Sequence, residues 1–533
     1  MDKKRGENVA LSSETLRNTI DALIAAAAWD DLIDVMQGNW TELLAQDPTS
    51  VRQVMDVMPD AVLVANPRIS LAKNYLDRIA PGDHAHTTRF RKATPAGPPR
   101  SVFDALVQLS IRATARRANG EYDIAEKMVR EARELLDGAG SSDREQMQQA
   151  LPEMTYAWGY VRELAGDLDG ARREFVDSYD IALMIDDQMG RARAAGALAW
   201  VDALAGRNAE ARHWLARLPE VGDAWWAGRS VVPAQLAEAL LLLGTFEVED
   251  ARRILDRVDL RPARERWPAH KLLCALLVGS PADAVTMLAE IDAAAADMPD
   301  ERAERGEGAV FLAVARHRLL VLMGSQSAAR QELDGLVVPH TSFAAKMLEI
   351  WKIADDARSG RVERAERAAT LLTLSSAASP WVMIAALALK AGAESSLGLP
   401  TASRTWELAV ALANRERLYG PLSFGDGRAI RRLMEGDSGS IPQDIAEQIL
   451  RIAESRAYDP FLTLSPREQV VLAARLRGLT IEETAQSVFV SVNTVKTQLR
   501  ALYRKVGVTT FAELQRAAIL HGYVPLPSGD DVD

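Results

Sequence analysis

Ser491-Val492-Asn493-Thr494-Val495-Lys496-Thr497-Gln498-Leu499-Arg500-Ala501-Leu502-Tyr503-Arg504-Lys505-Val506-Gly507 decides how the C-terminal end of this chain folds. Val492, Val495, Leu499, Leu502 and Val506 fall three or four residues apart, the spacing of one apolar helix stripe. Rotated away from that stripe, Lys496, Arg500 and Arg504 follow at intervals of four, with Asn493 and Thr497 beside them. No acidic residue interrupts the segment. A helix that packs one face and offers Lys, Arg, Asn and Thr on the other has the side chains that read base edges in a DNA major groove.

The flanking sequence places this helix as the third of four. Ser465-Pro466-Arg467-Glu468, Thr480-Ile481-Glu482-Glu483 and Thr510-Phe511-Ala512-Glu513 each read as a capping box, the first with proline at the opening helical position. Gly478 and Gly507 stand where a helix C-terminus takes a left-handed residue. Ile481, Thr484, Ala485 and Val488 form the inward face of the second helix, and only Phe489 and Val490 separate it from Ser491. So tight a connection is the turn of a helix-turn-helix.

These residues resemble the C-terminal DNA-binding domain of LuxR-type transcriptional regulators, including those of the NarL and FixJ kind. The match runs from Leu464 to about Gly522 and rests on Leu464-Ser465-Pro466-Arg467-Glu468, Val471-Leu472, Gly478-Leu479-Thr480, Glu483, Ala485, Val490-Ser491, Thr494-Val495-Lys496-Thr497, Leu499, Lys505 and Gly507-Val508. The resemblance implies double-stranded DNA as partner, base contacts from Lys496, Thr497 and Arg500, and phosphate contacts from Thr494, Arg504 and Lys505. It also implies a homodimer on DNA through a fourth helix, Phe511 to His521, with Phe511, Leu514 and Ala518 as its apolar surface. RNA polymerase is a further candidate partner of such a regulator. Gln498 stands where the family usually has histidine, and Ala473, Ala474 and Arg475 are less typical; these departures bear on site preference rather than on fold. Region 4 of a sigma factor shares the Ser-Pro-Arg-Glu opening and the Thr-Val-Lys run, but no region-2 sequence is recognisable upstream.

From about Ser13 to Met434 the chain is rich in Ala, Leu, Arg and Glu at helical spacing, which predicts an all-α body. A phrase recurs there: glycine, four mostly polar residues, alanine, then an apolar helix. It stands at Gly120–Ala125, Gly166–Ala171, Gly206–Ala211, Gly279–Ala284, Gly324–Ala329 and Gly360–Ala365, with looser copies from Gly244 to Ala251 and Gly398 to Ala402. Successive glycines are 46, 40, 38, 35, 45, 36 and 38 residues apart. One helical hairpin per ~34 to 47 residues is the period of tetratricopeptide-like α-solenoids, and stacked hairpins leave a groove that suits a peptide, protein or small effector. The body resembles the repeat part of MalT-like regulators without their ATPase, since no Gly-x-x-x-x-Gly-Lys-[Ser/Thr] loop occurs.

The expected organisation is an N-terminal helical cap at 1–80, a loop at 81–100, tetratricopeptide-like repeats at 101–434, a linker with a short amphipathic helix at 435–458, the LuxR-type helix-turn-helix domain at 459–524 and an acidic tail at 525–533. Ile445, Ile449 and Ile452 mark the amphipathic helix, which is expected to dock on the DNA-binding module or on a second copy of the chain.

Charge divides along the same line. Eight basic against five acidic residues between Asp459 and Tyr523 make that segment +3 in a chain of net charge −11, leaving −14 elsewhere. An acidic body restrains non-specific DNA affinity and leaves one steered contact surface. Cys274 is the only cysteine, which excludes an intramolecular disulfide and fits a reducing cytoplasm. In its Leu-rich setting it reads as a small buried hydrophobe. Asp83, His84 and His86 lack a matching cluster and read as a solvated loop, so no metal or other cofactor is expected. The eleven tryptophans all precede residue 407 and read as inter-repeat core. No apolar run reaches the length of a membrane span, no export signal is evident, and no nucleophile elbow, zinc-protease motif or dinucleotide fingerprint points to an enzyme. The alternative to a regulator is a helical-repeat adaptor whose terminal helices are one more protein-binding surface.

Overall fold

The computed structural model describes residues 13–39, 43, 48–66, 69, 99, 101–220, 222, 226–296, 306–336, 338, 342–375, 379–436, 439–455, 461, 464–506 and 508–520. Among them every regular element is a helix, and no helix is long and apolar enough to cross a membrane. The loop expected at 81–100 (Pro99 apart) with Asp83, His84 and His86, together with Trp225, Gly507, His521 and the tail at 525–533, lies outside the described residues.

The turns between paired helices repeat one geometry. Gly120, Gly206, Gly324 and Gly360 take positive φ of 78°, 82°, 77° and 75°. The next residue in each case donates its N–H five residues back: Glu121 to Arg116 (2.9 Å), Arg207 to Asp202 (2.8 Å), Ser325 to Leu320 (2.9 Å) and Arg361 to Asp356 (2.9 Å). This is the six-to-one bond of a Schellman cap, which satisfies a carbonyl that the helix end leaves orphaned. An L-residue with a Cβ loses roughly 1–2 kcal/mol in this left-handed conformation and glycine does not. The second helix then begins at once, and Ala125, Ala211, Ala329 and Ala365 are all buried, so the small side chain lets the helix pair approach closely.

Two copies of the phrase turn differently. At Gly279 the chain leaves the helix Trp267–Leu277 through an extended Val278 (ψ 126°), and Ser280 caps the next helix by accepting the N–H of Asp283 at 3.1 Å. Near Gly244 the left-handed residue is Phe246 (φ 62°). Gly244 itself closes the helix Ala227–Gly244, and its carbonyl accepts the Tyr419 N–H at 2.8 Å.

The chain divides into two compact units. One comprises Met1–Arg162, Gly170–Ala195 and Leu218–Val231. In it the helices Ser13–Ala25 and Trp29–Gly38 bury Leu16, Leu32 and Met36 in a core that also takes in Met189, Ala192 and Trp226 from the repeat region. The expected N-terminal cap therefore shares its core with the repeats. A second core joins Leu106, Ala125, Val129 and Trp158, and the Trp158 Nε1–H donates to Ser110 Oγ at 2.8 Å. Gly159 leaves room for Phe175, whose ring would stand 2.6 Å from a Cβ there.

The other unit comprises Glu163–Asp169, Gly196–Arg217 and Val232–Asp533. Gly306–Leu322 packs on Phe343–Arg358, and Phe343–Arg358 on Pro380–Leu397, while Val362–Thr373 and Ala402–Glu416 lie beside the helices they pair with. Consecutive helices thus pack in a solenoid-like stack. Segments far apart in sequence also meet within this unit. Phe343 N–H donates to Gly166 O (3.0 Å), Asn208 N–H to a Glu416 carboxylate 208 residues away (3.1 Å), and the buried Arg266 guanidinium to Glu163 (2.9 Å). The amphipathic helix Gln443–Ser455 docks here too: Ile445, Ile449 and Ala453 share a core with Trp406, Leu422 and Ile430. Its apolar face is thereby covered by the body, not by the module or a second copy as the sequence suggested.

Two glycines allow the turn geometry to be tested. A Cβ on Gly206 would lie 2.6 Å from the Trp381 backbone nitrogen at φ 82°, whereas Gly398 at φ 69° faces open space. Gly398→Ala is expected to cost about 1 kcal/mol for its conformation alone, and Gly206→Ala about 3 kcal/mol or more because backbone must also move. Urea unfolding of the two variants checks the order; equal costs would mean that the close approach at Gly206 is not formed.

Candidate nucleic-acid interface

Four helices build the C-terminal module: Pro466–Leu476, Ile481–Ser487, Val492–Val506 and Phe511–Leu520. All three predicted capping boxes form. Ser465 Oγ accepts the Glu468 N–H (3.3 Å) while Glu468 accepts the Ser465 N–H (2.6 Å), and Thr480 with Glu483 repeats the exchange at 3.2 and 2.7 Å. Thr510 and Glu513 do so at 3.2 Å in each direction, and Glu513 also accepts the Thr509 N–H at 2.8 Å. Gly478 is left-handed (φ 91°) as the sequence required.

The helix-turn-helix connection is a Schellman cap of the kind seen in the body. Val490 N–H reaches back to Ala485 O at 3.0 Å, and the left-handed position is held by Phe489 (φ 54°). Its side chain is 95% exposed, so no packing compensates the backbone cost. Ser491 then caps the third helix, its Oγ accepting the Thr494 N–H at 3.1 Å.

That third helix divides as its sequence predicts. Val495, Leu499 and Leu502 are buried with Leu472, Ala485 and Phe461, each contributing roughly 1.5–3 kcal/mol by leaving water. Asn493, Thr494, Lys496, Thr497, Arg500 and Arg504 are exposed. Thr497 Oγ1 donates to Asn493 O (2.9 Å) and Thr494 Oγ1 lies 2.8 Å from Ser491 Oγ, so both hydroxyls are held against the helix end.

Lys505 and the fourth helix also make contacts within the module. Lys505, expected on phosphate, bonds Glu468 through its ammonium at 2.6 Å and ties the third helix to the first capping box. Leu514 and Ala518 were assigned to a dimer surface, but both are 0% exposed in the module's own core. Phe511 packs against the same core with the Arg475 guanidinium 4.2 Å over its ring. Among the described side chains of the fourth helix the exposed ones are Ala512, Glu513, Gln515, Arg516 and Ile519, the last 66% exposed. Periodicity revealed an apolar face; it could not reveal what covers it. The Glu468–Lys505 pair was also beyond sequence reading, because its partners lie 37 residues apart.

Burial pushes the Cys274 thiol up to about 11, so the thiolate that reacts or binds metal is scarce at neutral pH. Among the described residues no group of His, Cys, Asp or Glu is placed to hold a metal ion.

The capping carboxylates give the module a pH signature. Glu483 lies below the usual carboxylate range because the Thr480 backbone N–H binds its ionised form, and Glu513 is lowered in the same way by Thr509. For Glu468, burial acts to raise the value, but Lys505 and Ser465 together outweigh it. Each binds its proton more weakly folded than unfolded, so the stability it adds is complete above the unfolded value and is lost as pH falls through the folded one. Hydrogen exchange of residues 464–520 in the full chain should show weakening protection below about pH 4.3. Combining Glu483→Gln and Glu513→Gln should flatten that dependence; an unchanged profile would mean that the boxes do not act on stability. Phe489→Gly should raise stability by about 1 kcal/mol by relieving the left-handed turn, read as a later unfolding midpoint of the module.

Comparison with known proteins agrees with this geometry. No curated protein matches the chain. Residues 462–518 match the sequence profile of the family described as bacterial regulatory proteins, luxR family, a span that contains the capping boxes, the turn and the whole basic helix. The four-helix C-terminal module is thus a helix-turn-helix domain of the LuxR type, and the match covers this module and not the rest of the chain.

Proposed function

We propose that the chain regulates transcription by inserting the helix Val492–Val506 into the major groove, with Lys496, Thr497 and Arg500 on base edges and Thr494 and Arg504 on phosphates. The single observation behind this reading is that the third helix buries Val495, Leu499 and Leu502 and leaves Lys496, Thr497, Arg500 and Arg504 exposed, with no acidic side chain in the helix. A surface of that composition has donors for G and A edges and cations for phosphate. Lys505, tied to Glu468, belongs to the fold in this reading.

A second copy on DNA would meet the first through the exposed side of the fourth helix around Ile519, since Leu514 and Ala518 are spent on the core. The helical body receives a signal that changes how the module meets DNA, and RNA polymerase is the partner on which such a regulator acts. This work belongs in the cytoplasm, where the DNA is.

Binding of the full chain to duplexes selected from a random library tests the proposal. On the preferred site Lys496→Ala and Arg500→Ala should each cost ~1–3 kcal/mol and relax the sequence preference. Arg504→Ala should weaken all duplexes alike and reduce the slope of log K against log salt by about 0.9. Equal affinity for every duplex, unaffected by these substitutions, would overturn it.

A further inference from the structure

Within the unit that carries Val232–Asp533, aromatic side chains surround a cleft of about 180 Å³. Trp200, Phe246, Phe343, Trp351, Trp381 and Phe424 stand in its wall. Their rings brace one another edge to face: Trp351 on Phe424 (5.0 Å between centroids), Trp381 on Phe424 (5.8 Å) and Phe343 on Trp381 (6.1 Å). A wall fixed in this way is preformed, as small-molecule sites usually are. The volume slightly exceeds the ~150 Å³ apolar cavity known to take up benzene, which sets the scale at one or two fused rings.

One cation stands in this apolar wall. Arg318 donates Nε–H to Ala275 O and Nη2–H to Leu276 O and Val278 O, all at 3.1 Å. Among the described residues its Nη1 has no acceptor and no carboxylate lies within ion-pair reach of the guanidinium. Protein encloses the side chain on nearly every side, while part of its surface remains open, the combination expected at a cavity wall. Burial without a counter-charge pushes its pKa down to about 10, so it is still protonated at neutral pH. A largely enclosed cation with no counter-charge in reach is costly, and a carboxylate bonded to a guanidinium removes that cost more effectively than a neutral group can.

We infer that this cleft binds a small aryl carboxylate, with the ring or rings against Trp351, Trp381 and Phe424 and the carboxylate on Arg318. The inference rests on the reading of the helical body as the signal-receiving part and names the class of signal. Ile452 gives the site its route to DNA. It lies in the cleft wall and belongs to Gln443–Ser455, the helix that precedes the DNA-binding module. A ligand that touches Ile452 alters the packing of that helix between its empty and filled states, and only a difference of this sort can shift an equilibrium.

Calorimetric titration of the full chain with phenylacetate and indole-3-acetate tests the assignment, with 2-phenylethanol and phenethylammonium as neutral and cationic counterparts. One carboxylate should bind per chain, about 10- to 100-fold more tightly than the alcohol, and the ammonium should not bind. Arg318→Lys should retain the preference for the acid. Arg318→Met, checked for unchanged helicity, should abolish it. Comparison of the three probes on the unmodified chain decides the matter even if that variant fails to fold. No carboxylate binding up to about 10 mM, or equal binding of acid and alcohol, overturns the inference. DNA affinity measured with and without the acid separates the two readings. Carboxylate binding that leaves DNA affinity unchanged upholds the site and sinks signal reception by the body. Intact sequence-selective DNA binding with no carboxylate binding sinks the site alone.

Discussion

One backbone arrangement, the helix end closed by a left-handed residue, recurs from the first hairpin to the DNA-binding module. Each such residue turns the chain after a single further position and bonds a carbonyl that would otherwise be lost. The consequence is that each second helix starts beside the first with no loop to adjust, and the buried alanines of the repeats are where that proximity is felt. Within the larger unit the turns also make contacts outside their own hairpins. Gly166 accepts from Phe343, Gly206 is pressed on Trp381, and Gly244 accepts from Tyr419. The Trp381 and Phe343 side chains that form the aromatic cleft are therefore anchored at their backbones by turns from much earlier in the chain.

Much of this was legible in the sequence because it depends on local chemistry. The glycine-to-alanine phrase located most turns, since only glycine is comfortable left-handed and only a small residue admits so close a neighbour. Where the phrase misled, another local solution had taken its place: a serine cap at Ser280 and a left-handed Phe246 two residues beyond Gly244. The capping boxes were readable for the same reason, being bonds between residues three apart. The identity of the surface covering an apolar face was not legible. Leu514 and Ala518 carry the same periodicity whether they face a partner or their own core, and Ile445 and Ile449 were as fit for the module as for the body. Arg318 was equally opaque, an arginine beside Arg316 and His317 whose isolation from carboxylates emerges only in three dimensions.

Electrostatics separates the two ends of the larger unit. Outside residues 459–523 the chain carries a net charge of −14, while buried pairs such as Arg266 with Glu163 fix geometry and project little field of their own. Along the exposed side of the third module helix, Lys496, Arg500 and Arg504 have no such partners among the described residues, and the one cation nearest the core, Lys505, is neutralised by Glu468. The module's field is thus concentrated on the face opposite its hydrophobic stripe.

The spacing of those three cations limits what one copy of the module can know about a genome. Four residues of helix advance about 6 Å, so the basic face from Lys496 to Arg504 spans about 12 Å, or little more than three base-pair steps at 3.4 Å each, and in the proposed reading Arg504 takes only a phosphate within it. Even if every pair along that face were read, an acceptable sequence would recur by chance every few hundred base pairs, on the order of 4⁴. In the proposed reading, so little information would not select a promoter alone. Selectivity would then come from two such readings at a fixed distance, which would make the exposed side of the fourth helix a determinant of address as much as of assembly.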